Sequence, residues 1–279
     1  MAARANKIIA TVLGCGSSGG VPRIGNNWGT CDPANPKNRR RRCSLLITGT
    51  REDRAGETHI LIDTGCDLRE QLLDAEVSEL SAVFFTHEHA DHTHGIDDLR
   101  VLATNAQRRV EVFFSDAAGV RIREAFRYCF ASPYGSAYPP ILNAHRIEAG
   151  DSVEVDGPGG AVNISAFLQA HGDINSLGFR VNDFAYSCDL SGIDNEWLTA
   201  VADLKVWIVD ALRPTPHPSH LSLPESLELI ARVKPGTAVL TNLHIDMDYA
   251  TVESATPAHV HPAYDGMRID VTNGKVLSD

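Results

Sequence analysis

The 279-residue sequence has no run approaching the roughly eighteen consecutive apolar residues that a helix needs to cross a bilayer. A helical membrane span is not expected, and the composition reads as that of a soluble, cytoplasmic protein. Cationic residues are in deficit: 25 Lys and Arg stand against 36 Asp and Glu, a formal net charge of −11. Such a balance disfavours tight, nonspecific nucleic-acid binding. The one basic run, residues 39–42, reads as a solvated loop ahead of a strand. Paired cysteines are missing too. The six (15, 31, 43, 66, 129 and 188) form no C-x-x-C motif, so reduced and mostly buried thiols are expected rather than a disulfide framework. The glycine-rich turn at 14–20 lacks the Lys-Ser/Thr of a phosphate-binding P-loop and runs into Val21-Pro22 instead of a helix. It is read as a tight connection near a site. An export signal is a poor reading of the start, whose apolar core spans only residues 8–13, and a first core strand is expected there. No linker or compositional shift divides the chain, so residues 1–279 are expected to form a single domain.

What is present is a rhythm of short apolar runs and amphipathic stretches. Strands are predicted over 7–13, 43–48, 59–63, 110–114, 162–169, 178–181, 184–187, 206–209 and 238–241. Helices are predicted over 67–75, around 99–102, and over 118–130 and 195–202. A last helix starts at Ser222 as N-cap, with Pro224 in its first turn and Glu225 closing a capping box, and ends before Lys234-Pro235-Gly236. Strands with intervening helices in both halves predict an α/β fold, a four-layer αββα sandwich. Two irregular segments stand out: the loop at 22–42 and the insertion at 131–143, which could roof a pocket.

The chemistry concentrates in residues 86–92, Thr-His-Glu-His-Ala-Asp-His, directly after the apolar run 82–85. Neutral imidazole and carboxylate are the donors that borderline divalent metals prefer. His87 and His89 alternate at strand spacing, while Asp91 and His92 follow where a helix begins, so one segment could serve two metals. Four further candidates follow strands: His171, Asp189, Asp210 and His244. Asp189 is the bridging candidate, and Asp210 could instead orient a ligand imidazole from behind. Trp28, with Tyr134 and Tyr138, could stack on a base or sugar or pack the loops on themselves. His94, His145, His259 and His261 read as surface residues.

The series His87-x-His89-x-Asp91-His92, His171, Asp189 and His244 resembles the metallo-β-lactamase superfamily in its phosphodiesterase branch. Along nearly the full length, from the glycine turn through the Arg run and Cys43-Ser44 to Tyr264-Asp265-Gly266-Met267, the chain is similar to the phosphoribosyl cyclic phosphate phosphodiesterases of phosphonate breakdown. The resemblance implies His87, His89 and His171 at one metal, Asp91, His92 and His244 at the other, and Asp189 between them. It also implies a catalytic histidine before the late helix, for which His220 aligns best and His217 is the reserve. The catalytic candidates are thus His220 and Asp91, with His217, Ser18 and Trp28 as candidate substrate contacts. That family also carries a separate structural zinc site, made by a cysteine cluster in the early loop and a late histidine. Here the loop offers only Cys31, and Asp246-Met247 stand at the later place, so no structural zinc is expected.

These residues suit hydrolysis of a small (cyclic) phosphodiester, a ribose cyclic phosphate or cyclic nucleotide, by water activated between two divalent ions, Zn or Mn. His220 would protonate the departing alkoxide. Two rivals are a tRNase Z-like RNA 3′-processing endonuclease, opposed by the acidic composition, and a non-catalytic nucleotide-binding metalloprotein. Partners other than the small ligand are not expected from nucleic acid or membrane, and pairing into a homodimer is left open.

Overall fold

Short runs of β-branched and aromatic residues, alternating where one face is wet and continuous where both are covered, produce the strands. The computed structural model describes residues 3–277. The first half lays down β1 (Lys7–Gly14), β2 (Ser44–Thr50), β3 (Thr58–Ile62), β4 (Ala82–Phe84), β5 (Val110–Phe114) and β6 (Leu142–Arg146). The second half adds β7 (Ser152–Val155), β8 (Val162–His171), β9 (Ile174–Val181), β10 (Phe184–Ser187), β11 (Val206–Asp210), β12 (Thr237–Thr241) and β13 (Val260–Pro262). The chain then returns to the first sheet with β14 (Arg268–Asp270) and β15 (Lys275–Val276). One sheet runs β15-β14-β1-β2-β3-β4-β5-β6, the other β13-β12-β11-β10-β9-β8-β7.

Neighbours from β3 to β6 and from β10 to β13 are parallel. Parallel neighbours need long crossovers, and helices fill several of them. On the first sheet these are α1 (Leu68–Asp74), α2 (Ala90–Thr93), α3 (Leu99–Ala106), α4 (Asp116–Ala125) and α5 (Arg127–Phe130); on the second, α6 (Leu223–Val233) and α7 (Tyr249–Ala255). Ile8, Leu45, Ile62 and Phe84 meet Ile164, Phe179, Tyr186 and Ile208 between the sheets. Leu61, Val83 and Phe85 are covered from outside by Leu68, Leu72, Leu99 and Leu102, and Trp207 and Val209 by Ile230 and Val252. This is the αββα sandwich predicted from the alternation of elements. Phe84 stacks on Phe113 at 4.6 Å and meets Phe179 edge-on at 5.5 Å, locking the two sheets together one strand-end below residues 86–92.

Three sequence expectations need correction. The helix over 118–130 is broken at Phe126 (φ −121°, ψ 36°) into α4 and α5, because that residue leaves the helical region. The helix over 195–202 shrinks to one 3-10 turn, Leu198–Val201, whose only buried side chain is Val201. Strands β6, β7 and β13–β15 and helix α7 were not foreseen; β7, at a sheet edge, buries only Val155 and so carries almost no periodic signal. The insertion at 131–143 lines pockets, and these lie away from the His/Asp site. Its Pro133, Tyr134 and Tyr138 line separate hollows with Arg127 and Tyr128, and both insertion tyrosines are exposed.

The loop at 22–42 is held by polar contacts to the segment after β12. The Arg40 guanidinium, fully buried, donates to the Met247 carbonyl (2.8 Å) and Asn38 Oδ1 (3.1 Å) and lies 3.8 Å from Cys31 Sγ. Among the described residues no helix is long and apolar enough to cross a membrane.

Candidate active site

The site is built where strands end. β4 is buried along its whole length, so its register is fixed and the chain leaves the sheet at Phe85-Thr86 without freedom to slip. The Leu177 amide donates to the Thr86 carbonyl (2.9 Å), joining the second sheet to this point. α2 then turns Asp91 and His92 back toward His87. A Cβ at Gly65 would stand 2.4 Å from the Asp91 carbonyl oxygen, so only glycine permits this close approach.

Four side chains converge first. His87 Nε2 lies 2.9 Å from His89 Nδ1, which is 3.3 Å from His171 Nε2. Asp189 Oδ2 is 3.8 Å from His87 Nε2 and 3.6 Å from His171 Nε2. One donor atom of each of these residues lies within 4.8 Å of every other. Beside them, His92 Nε2 lies 3.3 Å from Asp189 Oδ1 and 3.5 Å from Asp91 Oδ2. Asp189 therefore touches both groups through different oxygens.

Three of the four clustered imidazoles, His87, His92 and His171, have their outer nitrogen engaged by protein. His171 Nδ1 donates to the Ser219 carbonyl (2.8 Å) and His92 Nδ1 to Asp63 Oδ2 (2.7 Å). His87 Nδ1 lies 2.9 Å from Thr86 Oγ1, whose hydroxyl donates to Asp63 (2.8 Å). These partners place each proton outward and turn the opposite lone pair into the centre. Lone pairs and a carboxylate converging at such separations repel one another, and a divalent cation is the group that the donor set fits.

Burial pushes the His87 imidazole well below its ordinary value, and the neighbouring His92 adds to this. Burial also lowers His171. For His92 burial is outweighed by Asp189, Asp63 and Asp91, which hold its pKa well above the usual histidine range. Asp189 is the converse: burial would raise it, but His92, His87 and His220 hold it well below.

Six of the seven residues expected as ligands thus lie together, namely His87, His89, Asp91, His92, His171 and Asp189. His244 is not among them. Asn242, in the left-handed region (φ 61°), turns the chain after β12 so that its amide, not His244, donates to Asp189 Oδ1 (3.0 Å). His244 instead places Nε2 on the Arg23 guanidinium and Nδ1 2.9 Å from Asp246. Its expected place beside Asp91 and His92 is corrected accordingly.

His220 sits at the edge of the cluster. Its Nδ1 donates to Asp210 Oδ2 (2.8 Å), and its Nε2 is 4.0 Å from Asp189 Oδ2. Burial would lower this imidazole, but Asp210 outweighs it and raises the pKa. Burial pushes Asp210 up to about 6, against the pull of His220. Asp210 therefore orients His220, rather than one of the clustered imidazoles. His220 opens onto a cavity of about 170 Å³ shared with Asp91, Asp189, Asn242, Ser18 and His217. Trp28 is outside it: the ring packs with Val21, Cys31 and Ile245 under the Arg39 guanidinium, and its Nε1 donates to Asn26. Its proposed substrate contact is withdrawn.

Sequence reasoning missed Asp63, which receives the Thr86 amide (2.8 Å), the Thr86 hydroxyl and His92, and is raised by burial. The available signal was an acid closing an apolar strand before Thr64-Gly65. Asp63, Asp189 and Asn242 all have positive φ (65°, 52° and 61°), a conformation that Asp and Asn tolerate best after glycine.

The Beta-lactamase superfamily domain matches residues 58–245. A solved diphosphatase of the PhnP family is 28% identical with a TM-score of 0.82, the match covering 95% of this chain and 97% of that one. Human tRNase Z, short form, superposes with a TM-score of 0.62 at 16% identity over 94% of this chain and 99% of its own, a likeness of fold. The octanoyltransferase of Porphyromonas gingivalis is 30% identical over 260 residues, 92% of this chain; the chain spans about half that protein's length (50%). The His/Asp cluster lies inside the matched region and offers the donor set of a divalent-metal site. With two thirds of its length inside the matched region and the cluster at the strand ends, the chain belongs to the beta-lactamase superfamily.

Proposed function

We propose that the protein is a phosphodiesterase acting on a small phosphodiester, a ribose cyclic phosphate or cyclic nucleotide, with two divalent ions, zinc or manganese. His87, His89 and His171 would hold one ion, Asp91 and His92 the other, and Asp189 both. When bound, such ions activate water and neutralise charge on phosphoryl oxygens. The observation that carries the reading is His220, backed by Asp210 from behind and lining the same small cavity as Asp189 and Asp91.

Breaking a phosphodiester leaves an alkoxide, which needs a proton. His220 carries that proton at Nε2, because Asp210 occupies Nδ1 and favours the imidazolium. Leu190 N donates to the same Asp210 oxygen (3.1 Å), so the carboxylate is itself fixed. Similarity to a PhnP-family diphosphatase supports phosphorus chemistry. A cavity of about 170 Å³ favours a small ligand over a tRNA end. Octanoyl transfer, the named activity of the longer relative, finds little support: among the described residues Leu212 is the one aliphatic side chain lining this cavity, and neither cysteine nor lysine lines it.

The test is hydrolysis by purified protein supplied with Mn²⁺ or Zn²⁺. Bis-p-nitrophenyl phosphate comes first, then 2′,3′- and 3′,5′-cyclic nucleotides, cyclic ribose phosphates and tRNA precursors. Turnover of the small cyclic diesters is expected. Preference for precursor tRNA would move the assignment to RNA processing, and tight nucleotide binding without hydrolysis would leave a binding protein.

A further inference from the structure

The two places assigned to divalent ions are unequally furnished. His87, His89 and His171 bring three imidazoles to one, whereas the other has Asp91 and His92, with Asp189 reaching both. The sequence resemblance implied a further imidazole there, from His244, but that ring is turned to Arg23 and Asp246. We propose that the side-chain carbonyl of Asn242 is the donor that completes the second place, so that one ion is held mainly by nitrogen and the other mainly by oxygen. The inference rests on the two-ion part of the phosphodiesterase reading and names a ligand within it.

Asn242 is 3% exposed, lines the cavity beside Asp91, Asp189 and His220, and brings its side-chain amide to 3.0 Å from Asp189 Oδ1. Donor atoms bound to one cation at about 2.1 Å stand about 3.0–3.5 Å from one another. His92 Nε2 and Asp189 Oδ1 (3.3 Å), His92 Nε2 and Asp91 Oδ2 (3.5 Å), and the Asn242 amide and Asp189 Oδ1 (3.0 Å) all have that spacing. Cys188 Sγ is equally near Asp189 Oδ1 (3.0 Å), but it belongs to the core between the sheets and is not among the described residues that line the cavity.

The two ends of an amide, Oδ1 and Nδ2, exchange places by a half-turn about one bond with almost no change of shape. With Nδ2 inward, the group lies 3.1 Å from His220 Nδ1, whose own hydrogen is directed to Asp210. Two N–H groups so placed repel. With Oδ1 inward, one lone pair accepts from His220 and the other is free for a cation, whose charge offsets the repulsion between that oxygen and Asp189. The left-handed backbone at Asn242 (φ 61°), a conformation that Asn tolerates, therefore delivers an amide by the same turn that carries His244 away. Imidazoles suit zinc, and carboxylate and carbonyl oxygens suit manganese. The chain thus presents two places of different preference rather than a symmetrical pair.

The experiment reads metal rather than turnover. Mn²⁺ and Zn²⁺ are titrated separately into chelated protein by calorimetry, with elemental analysis of the loaded product. The wild type is expected to bind two ions. Asn242→Ala should weaken the second by at least about tenfold, the lower bound for losing even an outer partner, and leave the first unchanged. Asn242→Asp puts a charged oxygen at the same spot and should tighten the second Mn²⁺, while Asn242→His should tighten the second Zn²⁺ relative to Mn²⁺. A side chain that served only as an N–H donor to Asp189 gives other signs: Asn242→Ala weakens both ions alike, because Asp189 serves both, and Asn242→Asp weakens them further. Either of those results, or a second ion unaffected in Asn242→Ala, overturns the proposal. Thermal unfolding checks that each variant folds; if Asn242→Ala does not, the sign in the isosteric Asn242→Asp still decides. Uptake of a single ion by the wild type overturns the two-ion reading instead.

Discussion

The two sheets supply the site in different ways. The first sends His87, His89, Asp91 and His92 from one continuous segment beyond β4, braced by Asp63 at the end of β3. The second contributes single residues, each at its own strand end or loop: His171 from β8, Asp189 after β10, Asp210 from β11, His220 before α6 and Asn242 after β12. A contiguous cluster is rigid by local geometry. Dispersed residues converge only if strand order and register are right, so the second sheet ties the chemistry to the fold. The first sheet should therefore govern metal retention, and the second should divide between retention at Asp189 and proton delivery at His220.

Asp189 offers the largest test of that division, because it alone spans both groups. Asp189→Ala should strip metal, read by elemental analysis, and reduce turnover by more than the ~100-fold typical of losing an outer partner of a ligand. Full metal content in that variant would break the shared-carboxylate arrangement. His220→Ala should leave metal content intact while kcat falls by about 10²–10⁴-fold, the range for a positioned general acid. Metal loss there would make His220 a ligand and remove the contrast between the two roles.

Asp63→Asn sharpens the comparison from the first sheet. The variant keeps the shape but gives up the charge that fixes His92 Nδ1–H and the Thr86 hydroxyl. Metal affinity should fall about 10–100-fold, as outer-shell substitutions do, measured by competition with a chelating dye. His244→Ala, by contrast, should retain metal, since its ring is engaged by Arg23 and Asp246 rather than by the cluster. Loss of half the metal would return His244 to the ligand set.

The same contrast explains what could be read beforehand. The 86–92 motif follows an apolar strand and is dense in donors, so sequence alone located it. His171, Asp189 and His220 became credible only as a series, because a single polar residue at a strand end carries little information by itself. His244 misled because residue type was legible but direction was not: the left-handed turn at Asn242 decides which of two nearby residues faces Asp189. Asp63 is silent in the same way, its role arising from contact with Thr86 and His92, which lie 23 and 29 residues further on. Trp28 by type suits either stacking on a ligand or packing of the loop, and contact with Val21, Cys31 and Ile245 decides for packing. Helix α6 was legible to its cap, since the Ser222 amide donates to Glu225 (2.8 Å) and the signal is wholly local.

The smallest effect is a displacement of pH dependence, and it isolates the second sheet's proton function. His220 must be protonated to act as an acid, so activity is lost as pH rises through its pKa. Burial works against the imidazolium, and Asp210 at 2.8 Å overcomes it. In Asp210→Asn the hydrogen-bond geometry is nearly kept but the compensating charge is gone, so burial dominates and the pKa falls. The alkaline limb of the kcat profile should then move to lower pH, with little change in acid solution and a growing deficit toward pH 8. Metal content should stay at the wild-type level, because Asp210 touches none of the six clustered residues. An alkaline limb that stays in place would mean that the group titrating there is not His220, and the acid would have to be sought in His217, whose ring lies 5.1 Å from that of His220 in the same cavity.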